Sequence, residues 1–410
     1  MSAPRGIMSM TVKQGFQWRG TWRSLALAGS LFMVVQGSLS CAANAEPGFA
    51  AKLRPLIQSA MKDWVTPGIM VLVDVPGQST WIEGFGTSDL ATKAPMSADD
   101  HHRVGSVTKT LTGEAVLLLV DEGKIGLDDP VEKYLPGIVP NGANITIRQM
   151  LDMTSGIYNG TEDPDFNATI DAKPETIWTP QEFIAISLKH SPYFAPGTGF
   201  HYSNTNYELL GLIVERQSGT ALDNFMAERI FKPLGMTSTI LPKADKPAMP
   251  SPHGRGYLFG ANVDGMKAYN AMIAGNAKDA IVPWPAGKPP VDATEFSTSY
   301  AWASGSVIST IRDMQVWAKA LAVGSLLKPE TQKQRIRWSP HAHYGLGITE
   351  SVGTFLGHNG AIPGFETLIG YEPQTGTTIV VFANNQLEPN TAFVLPGDTI
   401  AGIIQKALFP

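Results

Sequence analysis

Strand-forming segments at both ends of the chain, with helical segments between them, are the feature that constrains the fold most strongly. Two short apolar runs at 68–74 and 79–84 flank Pro76-Gly77, which predicts a β-hairpin. Apolar residues at helical spacing predict helices over 46–64 and 392–408. Because both ends supply strands, we expect one antiparallel sheet with the terminal helices covering one face. The remaining predicted strands lie near the C-terminal end, at 344–349, 354–358, 365–371 and 377–383.

The middle of the chain is predicted to be mainly helical. Residues 241–296 have little periodicity and much Pro, Gly and Ala, which predicts a long, ordered loop excursion. We therefore expect an α+β fold, an α/β sandwich, in which 46–103 plus 297–410 form the sheet domain and 104–296 form an inserted helical domain. A substrate is expected in the cleft between the two. The predicted helices of the insert cover 106–122, 146–153, 180–190 and 206–218.

Residues 1–45 have the pattern of a secretory signal peptide. They hold four basic residues and no acidic ones, and the apolar run Leu25–Val35 is shorter than the ~20 residues of a membrane-spanning helix. Ala43-Asn44-Ala45 gives the small-x-small pattern of a signal peptidase site. We expect an exported protein, periplasmic or extracellular, without a membrane span. A lipoprotein acylated at Cys41 is an alternative, although Ser38 stands where such signals usually carry an aliphatic residue.

The charge balance excludes nucleic acid as a partner. The chain has 31 basic and 36 acidic side chains, and without residues 1–45 its net charge is −9. Nucleic-acid binding requires a basic face, which this balance does not predict. His341-Ala-His343 resembles half of a metal site but lacks an accompanying ligand motif. We therefore expect neither a metal nor an organic cofactor.

Gly105-Ser106-Val107-Thr108-Lys109 opens the first predicted helix of the insert. Ser106 and Lys109 are three positions apart, so they share one helix face and can touch. The helix N-terminus and burial both disfavour an ammonium group, which lowers the lysine pKa and allows Lys109 to act as a base. The alternative is that Ser106 only caps the helix.

Two further motifs combine polar side chains with turns. Tyr202-Ser203-Asn204 precedes the helix at 206–218, where it can be either a capping turn or a phenol and an amide facing a substrate. His358-Asn359-Gly360-Ala361 ends a predicted strand, and its glycine permits close backbone approach by a substrate. The backbone N–H groups of Ala361 and Ser106 can then pair as an oxyanion hole.

In order and spacing, these motifs resemble the serine β-lactamase and penicillin-binding superfamily, in the branch of class C β-lactamases and secreted D-alanyl-D-alanine carboxypeptidases. The resemblance extends from about Ile57 to Ala407. It includes Leu119-Val-Asp-Glu-Gly-Lys124, Ile145-Thr-Ile-Arg-Gln-Met-Leu151, Thr154-Ser-Gly156, Ala195-Pro-Gly197, Ser304-Gly-Ser-Val-Ile-Ser309 and Tyr344-Gly-Leu-Gly347 besides the three motifs.

The resemblance implies a role for each motif residue. Ser106 is expected to be the nucleophile, Lys109 the base that activates it, and Tyr202 the proton relay to the leaving group. Asn204 and the strand at His358, with Asn359, Gly360 and Ala361, are expected to hold the substrate.

Two positions depart from the pattern of this branch. Its third motif usually carries a threonine, whose hydroxyl helps bind a substrate carboxylate, and this chain has Asn359 there. The related carboxypeptidases carry an arginine just after the Tyr-Gly-Leu-Gly segment, and this chain has Thr349. A charge-assisted hydrogen bond to a carboxylate contributes roughly 1.5–3 kcal/mol, so these changes weaken recognition of a free C-terminal carboxylate.

The sequence therefore predicts an exported serine hydrolase that acts through an acyl-enzyme, most closely a D-alanyl-D-alanine carboxypeptidase. A carboxylic-ester hydrolase or a class C-like β-lactamase on the same site is the alternative within enzymes. A penicillin-recognising binding protein with little turnover is the alternative of another class. The expected partner is a small acyl substrate, namely a D-alanyl peptide, a β-lactam or an ester. The oligomeric state is left open.

Overall fold

A six-stranded antiparallel sheet is built from both ends of the described chain. The computed structural model describes residues 46–243, 245 and 248–409. The strand order is β2-β1-β10-β9-β8-β7, so a hairpin from the N-terminal part pairs with a meander from the C-terminal part. The strands are β1 (Gly68–Asp74), β2 (Trp81–Gly86), β3 (His102–Arg103), β4 (Tyr257–Leu258), β5 (Val291–Asp292), β6 (Ile308–Ser309), β7 (Thr349–Val352), β8 (Phe355–Ile362), β9 (Phe365–Glu372) and β10 (Thr377–Ala383).

Helices fill most of the segment between the two halves of the sheet and also cover its faces. α6 begins at Asn204, the last residue of the Tyr-Ser-Asn motif, and is capped at its C-terminal end by Gly219, which adopts a left-handed conformation. The helices are α1 (Gly48–Met61), α2 (Thr108–Asp121), α3 (Ile147–Leu151), α4 (Pro164–Ala172), α5 (Pro180–Ser187), α6 (Asn204–Ser218), α7 (Leu222–Met226), α8 (Lys232–Leu234), α9 (Asn262–Ile273), α10 (Trp302–Gly305), α11 (Ile311–Val323), α12 (Pro329–Arg335) and α13 (Pro396–Leu408).

Alternation along β1 places one hydrophobic core on each face of the sheet. Ile69, Val71 and Val73 pack with the terminal helices α1 and α13, whereas Met70 and Leu72 face the helical side. Successive side chains of a strand point to opposite faces, so a strand buried on both faces is apolar throughout. This arrangement confirms the expected α+β fold, with the terminal helices on one face of an antiparallel sheet.

Two segments differ from the sequence prediction. The predicted strand at 344–349 is a turn that leads into β7 at Thr349, because Gly347 has a φ of +73° and the Leu346 N–H donates to the Arg335 carbonyl. The excursion at 241–296 contains α9 and the paired strands β4 and β5. In α9 only Ala268 is buried, which explains why no apolar periodicity marks this helix.

The expected signal peptide and Cys41 lie outside the described residues. No helix within the described part of the chain is long and apolar enough to cross a membrane.

Candidate active site

Ser106 lies on a turn that brings α2 and β8 together. The turn is a short 3₁₀ helix, Gly105–Val107, which continues into α2. Gly105 has a φ of +52°, and a Cβ at this position would lie 2.7 Å from Ala361 N. A Cβ at Gly360 would lie 2.1 Å from the Val104 carbonyl oxygen and 2.7 Å from Ser106 N. Both glycines are therefore required, because the backbone next to Ser106 packs directly against the backbone of Gly360 and Ala361.

Lys109 is fully buried one turn further along α2. Its Nζ lies 3.0 Å from Ser106 Oγ, and it donates to Asn204 Oδ1 at 2.6 Å and to the Ser304 carbonyl at 2.8 Å. Burial lowers the lysine pKa to about 7, and the charge of Glu208 opposes that shift. A substantial fraction of Lys109 is therefore neutral near pH 7 and able to accept a proton.

The Tyr202 ring lies beside both groups. Lys109 Nζ is 4.8 Å from the centre of the ring, and the phenol interacts with the Ser106 hydroxyl. Burial raises the tyrosine pKa well above its usual value, and the Ser106 hydroxyl opposes this rise. Tyr202 is therefore a neutral phenol that can pass a proton but holds no standing charge.

Asn204 is held at both ends of its amide. Its Oδ1 accepts from Lys109, and its Nδ2 donates to Asn159 Oδ1 at 3.2 Å and to Thr161 Oγ1 at 2.9 Å. The side chain still reaches the wall of the adjoining cavity. We expected Asn204 to orient a substrate amide, and the structure adds a second contact, because this side chain also fixes the lysine.

The four residues of the motif His358-Asn359-Gly360-Ala361 lie partly on the cavity wall and partly in the protein interior. Asn359, Gly360 and Ala361 line the cavity. His358 is buried below its surface, with Nε2 2.9 Å from the Tyr344 hydroxyl, and burial lowers the imidazole pKa to about 4. The structure places the His358 ring 6.3 Å from the Tyr202 ring, and His358 is not among the described residues that line the cavity.

Asn359 is oriented by a carboxylate on α13. Its Nδ2 donates to Asp398 Oδ2 at 2.8 Å. Burial raises the Asp398 pKa to about 6, and the hydrogen bond from Asn359 opposes this rise. Asn359 therefore presents to the cavity an amide that is hydrogen-bonded to a carboxyl group. The threonine that is usual at this position would present a hydroxyl.

The cavity in front of Ser106 is mainly apolar. It has a volume of about 450 Å³. None of the described side chains that line it is charged, and Thr349 is not among them. Its apolar lining includes Phe166, Ile170, Phe200, Leu258, Phe259, Met266, Tyr269, Val282, Tyr300, Ile362, Phe393 and Leu395. Part of this wall comes from the excursion at 241–296, so that segment shapes the substrate pocket.

Two site residues were missed by sequence reasoning. Ser304, on α10, supplies the backbone carbonyl that binds Lys109. Glu208, fully buried on α6, accepts the Ser304 N–H at 3.0 Å. The only sequence signal for Glu208 is its spacing, because it follows Asn204 by four positions and so lies on the same face of α6.

Within the described residues, no group of three or more His, Cys, Asp or Glu side chains is arranged to hold a metal ion.

The profile of the Beta-lactamase family matches residues 53–396. Penicillin-binding protein 4* of Bacillus subtilis (strain 168) is 32% identical over 173 residues, which cover 41% of this chain and 37% of that protein. This match thus spans little more than a third of that relative.

Two solved structures of amide hydrolases superpose over most of the chain. The D-stereospecific amidohydrolase from Streptomyces sp. has a TM-score of 0.73 and 30% identity, covering 88% of this chain and 99% of that one. The D-amino acid amidase from Ochrobactrum anthropi SV3 complexed with D-phenylalanine has a TM-score of 0.70 and 26% identity, covering 87% and 99%. Together with the family match, these likenesses identify the chain as a serine hydrolase that belongs to the β-lactamase family, alongside the penicillin-binding proteins.

Proposed function

We propose that Ser106 is the nucleophile of a two-step acyl transfer. Lys109 accepts the Ser106 hydroxyl proton as Oγ attacks the substrate carbonyl carbon. The tetrahedral oxyanion accepts hydrogen bonds from the backbone N–H groups of Ser106 and Ala361. Through Tyr202, the proton reaches the leaving amine or alkoxide as the bond to the acyl carbon breaks. Water then attacks the acyl-enzyme ester and gives up a proton to Lys109 or Tyr202. That proton is passed to Ser106 Oγ as its bond to the acyl carbon breaks, which releases the acid and regenerates the serine hydroxyl.

The hydrogen bonds of Lys109 are the observation that carries this proposal. A neutral amine has two N–H donors and one lone pair. Asn204 Oδ1 and the Ser304 carbonyl accept hydrogen bonds from these two N–H groups. The lone pair can then face Ser106 Oγ, 3.0 Å away, which is the geometry that a general base requires.

The cavity favours an acyl donor that is apolar and carries no free carboxylate. Its described lining contains no charged side chain, and aromatic rings form much of its wall. Asn359 is held by a carboxylate, which disfavours a second carboxylate nearby. We therefore propose amides and esters of D-amino acids with apolar side chains as the preferred substrates, ahead of the D-alanyl-D-alanine peptides expected from the motifs. The two D-specific structural neighbours support this order.

A substrate panel tests the proposal. We expect kcat/KM to be highest for the amide and the p-nitrophenyl ester of D-phenylalanine, lower for a D-alanyl-D-alanine peptide, and lowest for nitrocefin. L-phenylalanine amide controls for stereospecificity, and the Ser106→Ala variant controls for background hydrolysis. A D-alanyl-D-alanine peptide that exceeded the amide would restore the carboxypeptidase assignment. A p-nitrophenyl ester as the sole substrate would indicate an esterase.

A penicillin-binding role with little turnover is the second candidate, favoured by the B. subtilis relative. Both candidates require acylation of Ser106 and differ in deacylation. Intact-mass spectrometry with benzylpenicillin separates them, because a stable adduct supports the binding protein and a transient one supports a hydrolase. Export through residues 1–45 remains part of the proposal, and N-terminal sequencing of the secreted protein tests it.

A further inference from the structure

We infer that Glu208 is a positioning residue for the reaction, because it holds the α10 turn whose Ser304 carbonyl binds Lys109. This inference rests on the proposed role of Lys109 as the base. It assigns a function to a buried acid that neither accepts the Ser106 proton nor lines the cavity.

Glu208 and Lys109 both contact the backbone of Ser304, Glu208 at its N–H and Lys109 at its carbonyl. The Glu208 carboxylate accepts the Ser304 N–H at 3.0 Å and the Ala303 N–H at 3.5 Å. The carbonyl of Ser304 accepts from Lys109 Nζ at 2.8 Å. α10 spans only Trp302–Gly305, so its own hydrogen bonds fix it weakly. The carboxylate therefore supplies the anchor that keeps the Ser304 carbonyl directed at the lysine.

Glu208 also acts on Lys109 through its charge. Its negative charge raises the lysine pKa, while burial lowers it. Burial in turn raises the Glu208 pKa to about 7, and the bonds from α10 and the lysine charge oppose that shift. The other titratable groups that face Lys109 are Tyr202 and Tyr207, whose pKa values lie well above 10, and His358 on β8, whose pKa is about 4. Near pH 7 these three are neutral, so Glu208 is the ionisable partner of the lysine among these groups.

The sign of the effect follows from this arrangement. Catalysis needs neutral Lys109, so kcat/KM rises with pH through the lysine pKa. Replacing the carboxylate by an amide removes the charge that favours the ammonium. The lysine then loses its proton at lower pH, and the acidic limb of the profile moves toward lower pH.

Three variants separate charge from position. Glu208→Gln keeps an acceptor for the Ser304 N–H and removes the charge. Glu208→Asp keeps the charge and shortens the reach by one methylene. Glu215→Gln is the matched control, because Glu215 also lies on α6, accepts a backbone N–H from Leu222 at 2.9 Å, and lies roughly 10 Å further along the helix.

The experiment is the pH dependence of kcat/KM for D-phenylalanine p-nitrophenyl ester in wild type and the three variants. We expect Glu208→Gln to move the acidic limb down by about one pH unit. Glu208→Asp should lower kcat several-fold while its limb stays near the wild-type position, and Glu215→Gln should change neither.

An unmoved limb in Glu208→Gln would overturn the inference, as would wild-type kcat in Glu208→Asp. If Glu208→Gln does not fold, the Asp variant alone decides, because a merely structural residue would not lower kcat at unchanged melting temperature. A wild-type enzyme that hydrolyses no substrate of the panel would instead refute the proposed function itself.

Discussion

Lys109 shows how burial of a single residue lowers a lysine pKa toward neutrality. In water a lysine is charged at neutral pH, whereas at this fully buried position its pKa falls to about 7. The hydrogen bonds that it donates are made by a side chain from α6 and a backbone carbonyl from α10. The environment of the Lys109 amine is therefore set by three helices, α2, α6 and α10.

Lys109→Arg tests the need for a neutral base. Arginine stays protonated at every accessible pH, so we expect kcat/KM to fall by at least about 100-fold between pH 6 and 9. Wild-type kcat/KM should rise through about pH 7, where Lys109 loses its proton. Steady-state kinetics over this range measures both, with the exposed Lys124 changed to Arg as control. Activity retained in Lys109→Arg would contradict the assignment of the base.

Asn359→Thr tests the selection against carboxylates. The variant introduces a hydroxyl that can donate to a substrate carboxylate and removes the hydrogen bond to Asp398. We expect the ratio of kcat/KM for a D-alanyl-D-alanine peptide to that for D-phenylalanine amide to rise roughly tenfold. An unchanged ratio, with an unchanged melting temperature, would mean that Asn359 does not set this preference.

The sequence predicted the residues whose signal is local and missed those whose signal is three-dimensional. Ser106 and Lys109 lie on one helix turn, and Tyr202 and Asn204 lie within three positions, so short motifs reveal them. Glu208 resembles any polar residue of a helix until the fold buries it. The interior position of His358 also depends on the packing of Tyr344 against it, which no spacing along the chain encodes.

At the scale of elements, β8 and the turn before α2 form a closely packed pair that creates the proposed oxyanion hole. Glycines at 105 and 360 permit this contact, since a Cβ at either would collide with the opposite backbone. The strand β8 was predicted at 354–358 and extends to Ile362, which carries Gly360 and Ala361 within the sheet. The extension matters because the sheet then fixes the Ala361 amide rigidly.

Gly105→Ala tests this contact. The new Cβ would lie 2.7 Å from Ala361 N, so β8 must move away from Ser106. We expect kcat to fall about 100-fold with a smaller change in KM, because loss of one oxyanion donor weakens transition-state binding. Gly123→Ala is the matched control, with a φ of +73° and no heavy atom within 4 Å, so it shares the backbone strain without the collision. Equal kinetic losses in the two variants would contradict this explanation.

The helix α9 illustrates why the excursion could not be predicted. Its sequence contains glycine and two asparagines, which lower helix propensity, and its contact surface is limited. Tertiary contacts hold it instead, as when the Asp171 carboxylate accepts the Asn262 and Val263 N–H groups at the helix start. Met266 and Tyr269 then reach the cavity wall from a segment that sequence periodicity does not identify.

Across the whole molecule, the distribution of strands and helices predicted the fold, but the pocket depends on packing. The sheet forms from both chain ends because each end supplies apolar strands that are buried on both faces. The residues that line the cavity come from segments as far apart in the sequence as Phe166 and Phe393. The proposed preference for apolar amides and esters over D-alanyl peptides therefore rests on a cavity lining that only the assembled fold brings together.

His102 tests the burial of the sheet core through acid stability. Its imidazole stacks on Phe382 at 4.3 Å, and burial lowers its pKa to about 3. The unfolded chain binds a proton below about pH 6.5, so the stabilisation from His102 is present above that pH and is lost as pH falls toward 3. We expect the unfolding free energy of wild type, relative to His102→Gln, to drop by about 3 kcal/mol between pH 7 and pH 4.

Urea unfolding at the two pH values measures this difference, and substitution of the exposed His343 controls for removal of an imidazole. A constant difference between wild type and His102→Gln would mean that the ring is already solvated or charged in the folded protein.

Trapping of the acyl-enzyme tests whether Ser106 is the nucleophile. Wild type and Ser106→Ala are mixed with D-phenylalanine p-nitrophenyl ester, quenched with acid during turnover, and examined by intact-mass and peptide mass spectrometry. We predict one acyl group per wild-type molecule, located on the peptide that contains Ser106, and none on the variant, whose melting temperature stays close to wild type. An acyl group on another residue, or undiminished turnover by Ser106→Ala, would show that Ser106 is not the nucleophile.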